Sequence, residues 1–328
     1  MVRVRLPGGR LTPAQLETLA DLTDGDDIEL TSRGNIQLRG VADVDAARAA
    51  LSDAGLLPSE THERVRNIVA SPMSRALADR AAAFDEALRG RAALAALPGR
   101  FLFALDDGSG DVATLAADVE TRDGALHLDG HRTDLPGTVE HMLDAAQAFL
   151  DLRADEWRIR DLPDGAARVA AALGGVILDR DSPAAPPAPP VGWFDRDDGT
   201  VALGAGVRLG RLPARTARFL AAIDRPLTVT PWRTILVHDL DDGAAETVVR
   251  VLAPMGLIFD ANSPWLRVSA CVGDHGCARA EADALGHAAG LVDDLDADER
   301  VHVVACERGC GAPSGEHRLV IAPPDPGE

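Results

Sequence analysis

The 328-residue chain contains no lysine: all 33 of its basic side chains are arginine. That absence excludes chemistry built on a side-chain amine, namely Schiff bases, a pyridoxal-phosphate anchor and the lysine of a Walker A loop. Cysteine is scarce as well. Four in this length are too few for a disulfide-built scaffold, so their spacing must decide their role. No run of 18 apolar residues is present, so no membrane-spanning helix is expected. The opening Met1-Val2-Arg3-Val4-Arg5-Leu6 lacks the apolar stretch of a secretory signal, and a cytoplasmic location with reduced thiols is expected. Basic charge is outweighed, 33 against 52 acids, for a net charge of −19. A body this acidic argues against nucleic acid as a partner, because such binders rely on basic patches. The imbalance is uneven. Residues 1–103 hold 13 Arg and 14 acids, whereas residues 104–328 hold 20 Arg and 38 acids. An anionic ligand would find its positive potential in the N-terminal third. Elsewhere the Asp-rich faces serve solubility.

With 46% apolar residues the chain can bury a sizeable core, and its length allows two domains or three small ones. Ser182–Val191 reads SPAAPPAPPV, too proline-rich for a helix or an inner strand, and marks a boundary. The two sides of it resemble each other. The first copy has an alternating strand at Val2–Leu6 and a capping box at Thr12-Pro13-Ala14-Gln15 that starts a helix reaching Leu22. Strands at Ile28–Thr31 and Asn35–Arg39 follow, and Asp43 caps a helix ending at Ala54-Gly55. The second copy repeats the order from Thr200, with a helix at Pro213–Ile223, strands at Leu227–Thr230 and Thr234–Val237, and a helix at Gly243–Leu252. ELTSRGNIQL (Glu29–Leu38) aligns without a gap on TVTPWRTILV (Thr228–Val237), which sets Arg33 against Trp232. Each copy is β-α-β-β-α, a ferredoxin-like half, and the two are expected to pair into one sheet. Between them, Ser74–Leu97 and Thr138–Leu150 read as helices, and Phe101–Leu105 and Val112–Ala117 as strands. After the second copy come strands at Leu266–Ala270 and Val301–Ala305 around a helix at Ala278–Val292. The class is α+β.

Cys271 and Cys277 form C-x5-C, and Cys306 and Cys310 form C-x3-C. Each pair follows an apolar strand and sits in a glycine-containing loop, with Gly273, Gly276, Gly309 and Gly311 able to turn amides toward a cofactor. Four such thiolates match a [4Fe–4S] cluster. Zinc fits less well, because its usual knuckle is C-x2–4-C. Four unrelated buried cysteines remain the alternative without a metal.

At this point the chain resembles the nitrite/sulfite reductase superfamily, along essentially its whole length. Three motifs carry the likeness: TSRGNIQLRG (Thr31–Gly40), RNIVASP (Arg66–Pro72) and the two cysteine pairs. The resemblance implies two ferredoxin-like half-repeats, residues 1–57 and 192–262, and two reductase-type α+β domains, residues 58–181 and 263–328, with a linker at 182–191. It implies a tetrapyrrole or anion site around Arg33, Arg39, Arg66 and Arg100, and a cluster on Cys271, Cys277, Cys306 and Cys310. Within the superfamily the likeness is nearest to the precorrin-3B synthases of aerobic cobalamin biosynthesis, through the compact length and the C-terminal VACERGCGAPSG. LPGRF (Leu97–Phe101) bears on the choice. The reductases typically have lysine at the position of Arg100 and again two residues on, where this chain has Leu102. Reducing sulfite or nitrite wants two cations on a small anion, and leucine removes one.

The implied chemistry is an oxygenase step, C20 hydroxylation of precorrin-3A with γ-lactone closure. O2 is consumed, and electrons from an NAD(P)H-linked donor pass through the cluster. A further non-haem iron is part of that family picture, and His275 and His302 stand beside the cysteine pairs. A polycarboxylate substrate suits arginine, whose planar fork grips carboxylates bidentately. The alternatives are a sirohaem-dependent nitrite or sulfite reductase, and a non-catalytic Fe–S electron-transfer or tetrapyrrole-binding protein. A monomer is expected.

Overall fold

A computed structural model describes residues 1–23, 25–180, 187–313 and 315–324. Of the expected linker, residues 182–186 lie outside the described residues.

In the first half-repeat the alternation of Val2, Val4 and Leu6 with Arg3 and Arg5 makes the strand Val2–Val4. Thr12 caps the helix Pro13–Asp21 through a complete capping box: its side chain accepts from the Gln15 N–H, and the Gln15 side chain accepts from the Thr12 N–H. Strands Asp27–Leu30 and Ile36–Leu38 follow, and Asp43 accepts the Asp45 and Ala46 N–H groups at the start of the helix Val44–Asp53. The second half-repeat has strands Val201–Val207, Leu227–Val229 and Thr234–Leu240, with helices Ala214–Ala221 and Asp242–Leu252.

The halves do not merge into one sheet. Each lends a two- or three-residue strand to the other. Arg10–Leu11 pairs antiparallel with Leu227–Val229, and Arg211–Pro213 pairs antiparallel with Asp27–Leu30. The cause lies in two matching 3-10 turns, Pro7–Gly9 and Arg208–Gly210. Left-handed backbone at Gly8, Gly9, Leu209 and Gly210 breaks each opening strand and sends its continuation across the pseudo-twofold axis. The result is a four-stranded sheet and a larger one, over a single shared core that includes Leu16, Leu19, Ile36, Leu220 and Val237. The Thr31–Asn35 and Thr230–Thr234 turns are near copies. Thr31 N–H and Thr230 N–H donate to Asn35 and Thr234 carbonyls, both at 2.9 Å, and Gly34 and Arg233 both take positive φ.

The middle domain is a six-stranded sheet in the order Ile177–Arg180, His131–Pro136, Ala125–Leu128, Val119–Arg122, Phe103–Leu105, Ile68–Ala70. Helices Arg75–Arg89 and Val139–Leu152 belong to it, around a stack of Phe84, Phe101, Phe103 and Phe149 with neighbouring ring centroids 4.9 to 5.1 Å apart. Two expectations change here. Val112–Ala117 is a 3-10 turn at Ala113–Leu115, because Val112 and Ala117 both pack on Leu102 and left-handed Ala116 turns the chain. The helix from residue 75 stops at Gly90 instead of running to Leu97. Two successive hairpins turn on Asp-Gly pairs with positive φ: Asp123-Gly124 joins Val119–Arg122 to Ala125–Leu128, and Asp129-Gly130 joins Ala125–Leu128 to His131–Pro136.

The last domain is a parallel sheet of Val268–Ala270, Val301–Val304 and Arg318–Ile321. Its helix, Ala284–Gly290, is shorter than expected, since Asp283 caps it by accepting from the Gly286 N–H. Among the described residues no helix is long and apolar enough to cross a membrane.

The halves come close at Gly9, where a Cβ would stand 2.0 Å from the Val229 carbonyl oxygen. Gly9→Ala is expected to lower the unfolding free energy by at least about 2 kcal/mol, from strain at positive φ plus the clash. Urea denaturation of the two proteins measures this, and an unchanged midpoint would refute the account of the exchange.

Candidate functional site

A cavity of about 320 Å3 lies where both half-repeats, the middle domain and the C-terminal domain meet. Arg33 and Trp232 enter it from the two equivalent turns, so the sequence alignment of these residues becomes a spatial pair on one wall. The middle domain contributes Leu102 and Arg158. The C-terminal domain contributes Trp265, Arg267 and Arg300.

Asp118 organises the middle-domain wall. It is fully buried and accepts from Leu102 N–H (2.8 Å), Ile159 N–H (2.8 Å) and Arg158 Nε (2.5 Å). Burial pushes its carboxyl up, and the Arg158 charge and the two amides oppose this. Arg158 also donates to the Ala116 carbonyl. Arg33 has one side-chain hydrogen bond among the described residues, to the Gly99 carbonyl at 3.4 Å. Its guanidinium is lowered to about 10, first by burial and next by the charge of Arg158. It stays charged at neutral pH, with the Asp118 carboxylate only partly offsetting burial and the neighbouring arginines. Arg233 donates to the Gly311 carbonyl at 2.9 Å, beside Cys310.

The other three arginines read from the sequence are engaged elsewhere. Arg66 is buried in an ion pair with Asp85 (2.7 and 3.0 Å) and also reaches Glu63 (3.1 Å). Burial alone would lower it, but the Asp85 and Glu63 carboxylates raise it. Arg39 pairs with Glu29 at 2.5 Å and donates to the Gly276 carbonyl at 3.1 Å. Gly276 leaves room for it, since a Cβ there would meet Arg39 Cδ at 2.8 Å. Arg39 thus braces the C-x5-C loop from the first half-repeat. Arg100 is exposed and lies over the Trp157 ring, 5.2 Å from its centroid.

One arginine was missed. Arg5 is 7% exposed, and its Nε has no hydrogen-bond partner among the described residues. It lines a second cavity, of about 870 Å3, with Arg66. Burial, then the charges of Arg3 and Arg33, lowers it to about 10. The signal in the sequence was the alternation Arg3-Val4-Arg5, which puts both arginines on the face opposite the core. That this face is covered is a tertiary fact.

Cys271 follows the strand Val268–Ala270 and Cys306 follows the adjacent parallel strand, so both thiols leave the same sheet edge. Ala305 N–H donates to Cys271 Sγ at 3.3 Å, an amide bond of the kind cluster thiolates take. His302 is buried on the strand Val301–Val304. Its Nδ1 faces Ser269 Oγ (2.8 Å) and its Nε2 faces the Cys310 carbonyl (3.1 Å), which occupies both ring nitrogens. Four thiolates around one zinc would stand about 3.8 Å apart, from the Zn–S bond length and tetrahedral angle. The donor groups that converge within 4.8 Å among the described residues are Asp274/His275/Asp283 and Asp106/Asp107/Asp111, without a thiol. His275 lies at the surface with Asp274 and Asp283.

Residues 1–54 match the nitrite/sulfite reductase ferredoxin-like half domain. A curated ferredoxin–nitrite reductase from Leptolyngbya laminosa is 36% identical over 86 residues, 24% of this chain and 17% of that protein. The chain has the fold of the NirA protein of Mycobacterium tuberculosis, with a TM-score of 0.77 at 20% identity over 94% of this chain and 68% of that one. The chain thus has a nitrite/sulfite reductase ferredoxin-like half domain at residues 1–54 and shares the NirA fold over 94% of its length, while it spans only 17% of the curated relative.

Burial holds His302 at about 4, opposed by the Cys310 carbonyl and helped by Arg233 and His317. His238, buried near Arg196, Arg10 and Arg75, is likewise held at about 4. A folded value below the ordinary 6.5 means that the unfolded chain binds more protons between these two values. The stabilisation is complete above pH 6.5 and is lost as pH falls toward 4. Each histidine is expected to cost about 2 kcal/mol of stability between about pH 7 and pH 5. Denaturation at the two pH values, with His302 followed by NMR, checks this. A ring titrating near its ordinary value would contradict it.

Proposed function

We propose that this chain is an oxidoreductase that binds a tetrapyrrole polycarboxylate in the arginine-lined cavity, beside a [4Fe–4S] cluster on Cys271, Cys277, Cys306 and Cys310. The observation that carries the reading is convergence. Arg33, Arg158, Arg233, Arg267 and Arg300 come from both half-repeats, the middle domain and the C-terminal domain to one cavity next to the cysteine loops. Guanidinium forks from several directions suit a flexible ligand with many carboxylates.

Of the chemistries in the superfamily we place first that of the precorrin-3B synthases: precorrin-3A is hydroxylated at C20 and its ring A acetate closes a γ-lactone, with O2 and an NAD(P)H-linked donor. Leu102 supports this order. It is buried at the cavity wall where the reductases typically carry lysine, and Arg100 at the other lysine position is turned onto Trp157. Neither of the two positions where the reductases typically carry lysine presents a cation to the cavity. The cluster, when bound, supplies single electrons at the cavity edge. The residues of the chain bind and orient. Arg33 and Arg158 hold substrate carboxylates, Asp118 keeps Arg158 in place, and Leu102 and Leu115 exclude water. His302 positions the Cys310 loop through its carbonyl. The second reading, a sirohaem-dependent nitrite or sulfite reductase, is favoured by the nitrite reductase relative and the NirA fold. Protein purified without oxygen separates the two. Conversion of precorrin-3A with label from O2 entering the product supports the first. A native sirohaem Soret band with nitrite or sulfite turnover supports the second and sinks the first.

Two variants test the residues. Cys310→Ser is expected to lose cluster absorbance and bound iron, and a retained cluster spectrum would refute the ligand set. Arg33→Ala is expected to raise the precorrin-3A KM tenfold or more, which corresponds to roughly 1.5–3 kcal/mol for a charged hydrogen bond. An unchanged KM would remove Arg33 from the binding site.

A further inference from the structure

We propose that the loop Asp106–Asp111, sequence DDGSGD, is a calcium site. The loop follows the strand Phe103–Leu105. Asp106 Oδ1 accepts from Gly108 N–H (2.8 Å) and Gly110 N–H (2.9 Å), and Asp107 Oδ1 accepts from Ser109 N–H (3.1 Å). So folded, the loop brings carboxylate oxygens of Asp106, Asp107 and Asp111 within 4.8 Å of one another. Acids often cluster at a surface without a ligand. The observation that points to one is Asp106. It is 4% exposed, and its Oδ2 is buried with no hydrogen-bond partner among the described residues. A buried carboxylate oxygen without a donor is costly. Here its neighbours add negative charge.

The surroundings agree. Asp111 is pushed up by burial first, then by Asp106 and Asp107, although Ser71 Oγ donates to it at 2.6 Å. A fourth acid, Asp123, lies against the loop: a Cβ on Gly108 would stand 2.7 Å from its Oδ1. Arg122 comes near Gly110 and pairs with Glu120 at 3.4 Å. The donors are hard oxygens without His or Cys, which selects Ca2+ or Mg2+ over transition metals. Several carboxylates on an irregular loop suit Ca2+, which takes six to eight oxygens flexibly, better than Mg2+, which keeps most of its waters.

A cation here would set the wall of the substrate cavity. The residues that follow the loop, Val112 and Ala117, pack with Leu102 and Trp232. Leu115 lines the cavity, and the Ala116 carbonyl accepts from Arg158. The site rests on the loop alone and does not depend on which tetrapyrrole chemistry the protein performs.

The test is calorimetric titration of the intact, EGTA-dialysed protein with CaCl2, alongside its melting temperature. One saturable Ca2+ site and a raised melting temperature are expected. Both should weaken at least tenfold in Asp111→Asn and in Asp107→Asn, and persist in Asp274→Asn. Asp107 is exposed, so its variant keeps the test open should Asp111→Asn fail to fold. Absence of saturable binding, wild-type affinity in both loop variants, or loss of binding in Asp274→Asn would overturn the proposal.

Discussion

Everything in the site depends on the exchange of short strands between the half-repeats. Arg10–Leu11 and Arg211–Pro213 each complete the partner's sheet, and neither pairing exists within one half alone. The exchange locks the pseudo-twofold axis and with it the spacing of the two equivalent turns. Those turns carry Arg33 and Trp232 into one cavity. Gly9 and Gly34 permit the contact: a Cβ on either would come within 2.9 Å or less of the Val229 carbonyl oxygen.

The pseudo-symmetry is geometric and stops short of chemistry. Gly34 and Arg233 share a backbone conformation, yet one makes space and the other sends a side chain to the Gly311 carbonyl. Arg39 does the corresponding work from the first half-repeat, at the Gly276 carbonyl. Each half thus braces one cysteine loop with one arginine. How far a buried arginine is neutralised follows the acids around it. Arg66 meets Asp85 and Glu63, while Arg33 is left with a carbonyl and the repulsion of Arg158.

The lack of lysine takes its meaning in this setting. A guanidinium can hold a carbonyl, a carboxylate and an aromatic face at once, and all three uses occur here: Arg233 on Gly311, Arg158 on Asp118, Arg100 on Trp157. A fully buried carboxylate such as Asp118 needs a partner that stays charged when desolvated, and arginine meets that condition.

The order of elements in both half-repeats, the two capping residues Thr12 and Asp43, and the placement of the thiols after apolar strands were all legible in the sequence. These are short-range: caps, alternation and helical periods act over a few residues. The single shared sheet expected from the repeats gave way to two sheets that exchange strands, because that exchange is decided by which edge a two- or three-residue segment reaches after a left-handed turn. The fate of each arginine was not legible. Arg33, Arg39, Arg66 and Arg100 look alike as letters, and only the folded chain puts Asp85 beside one, Glu29 beside another and Trp157 beside a third. Arg5 was hidden for the same reason. Local sequence sets which face a side chain takes, whereas the burial and counter-charge of that face come from segments distant along the chain.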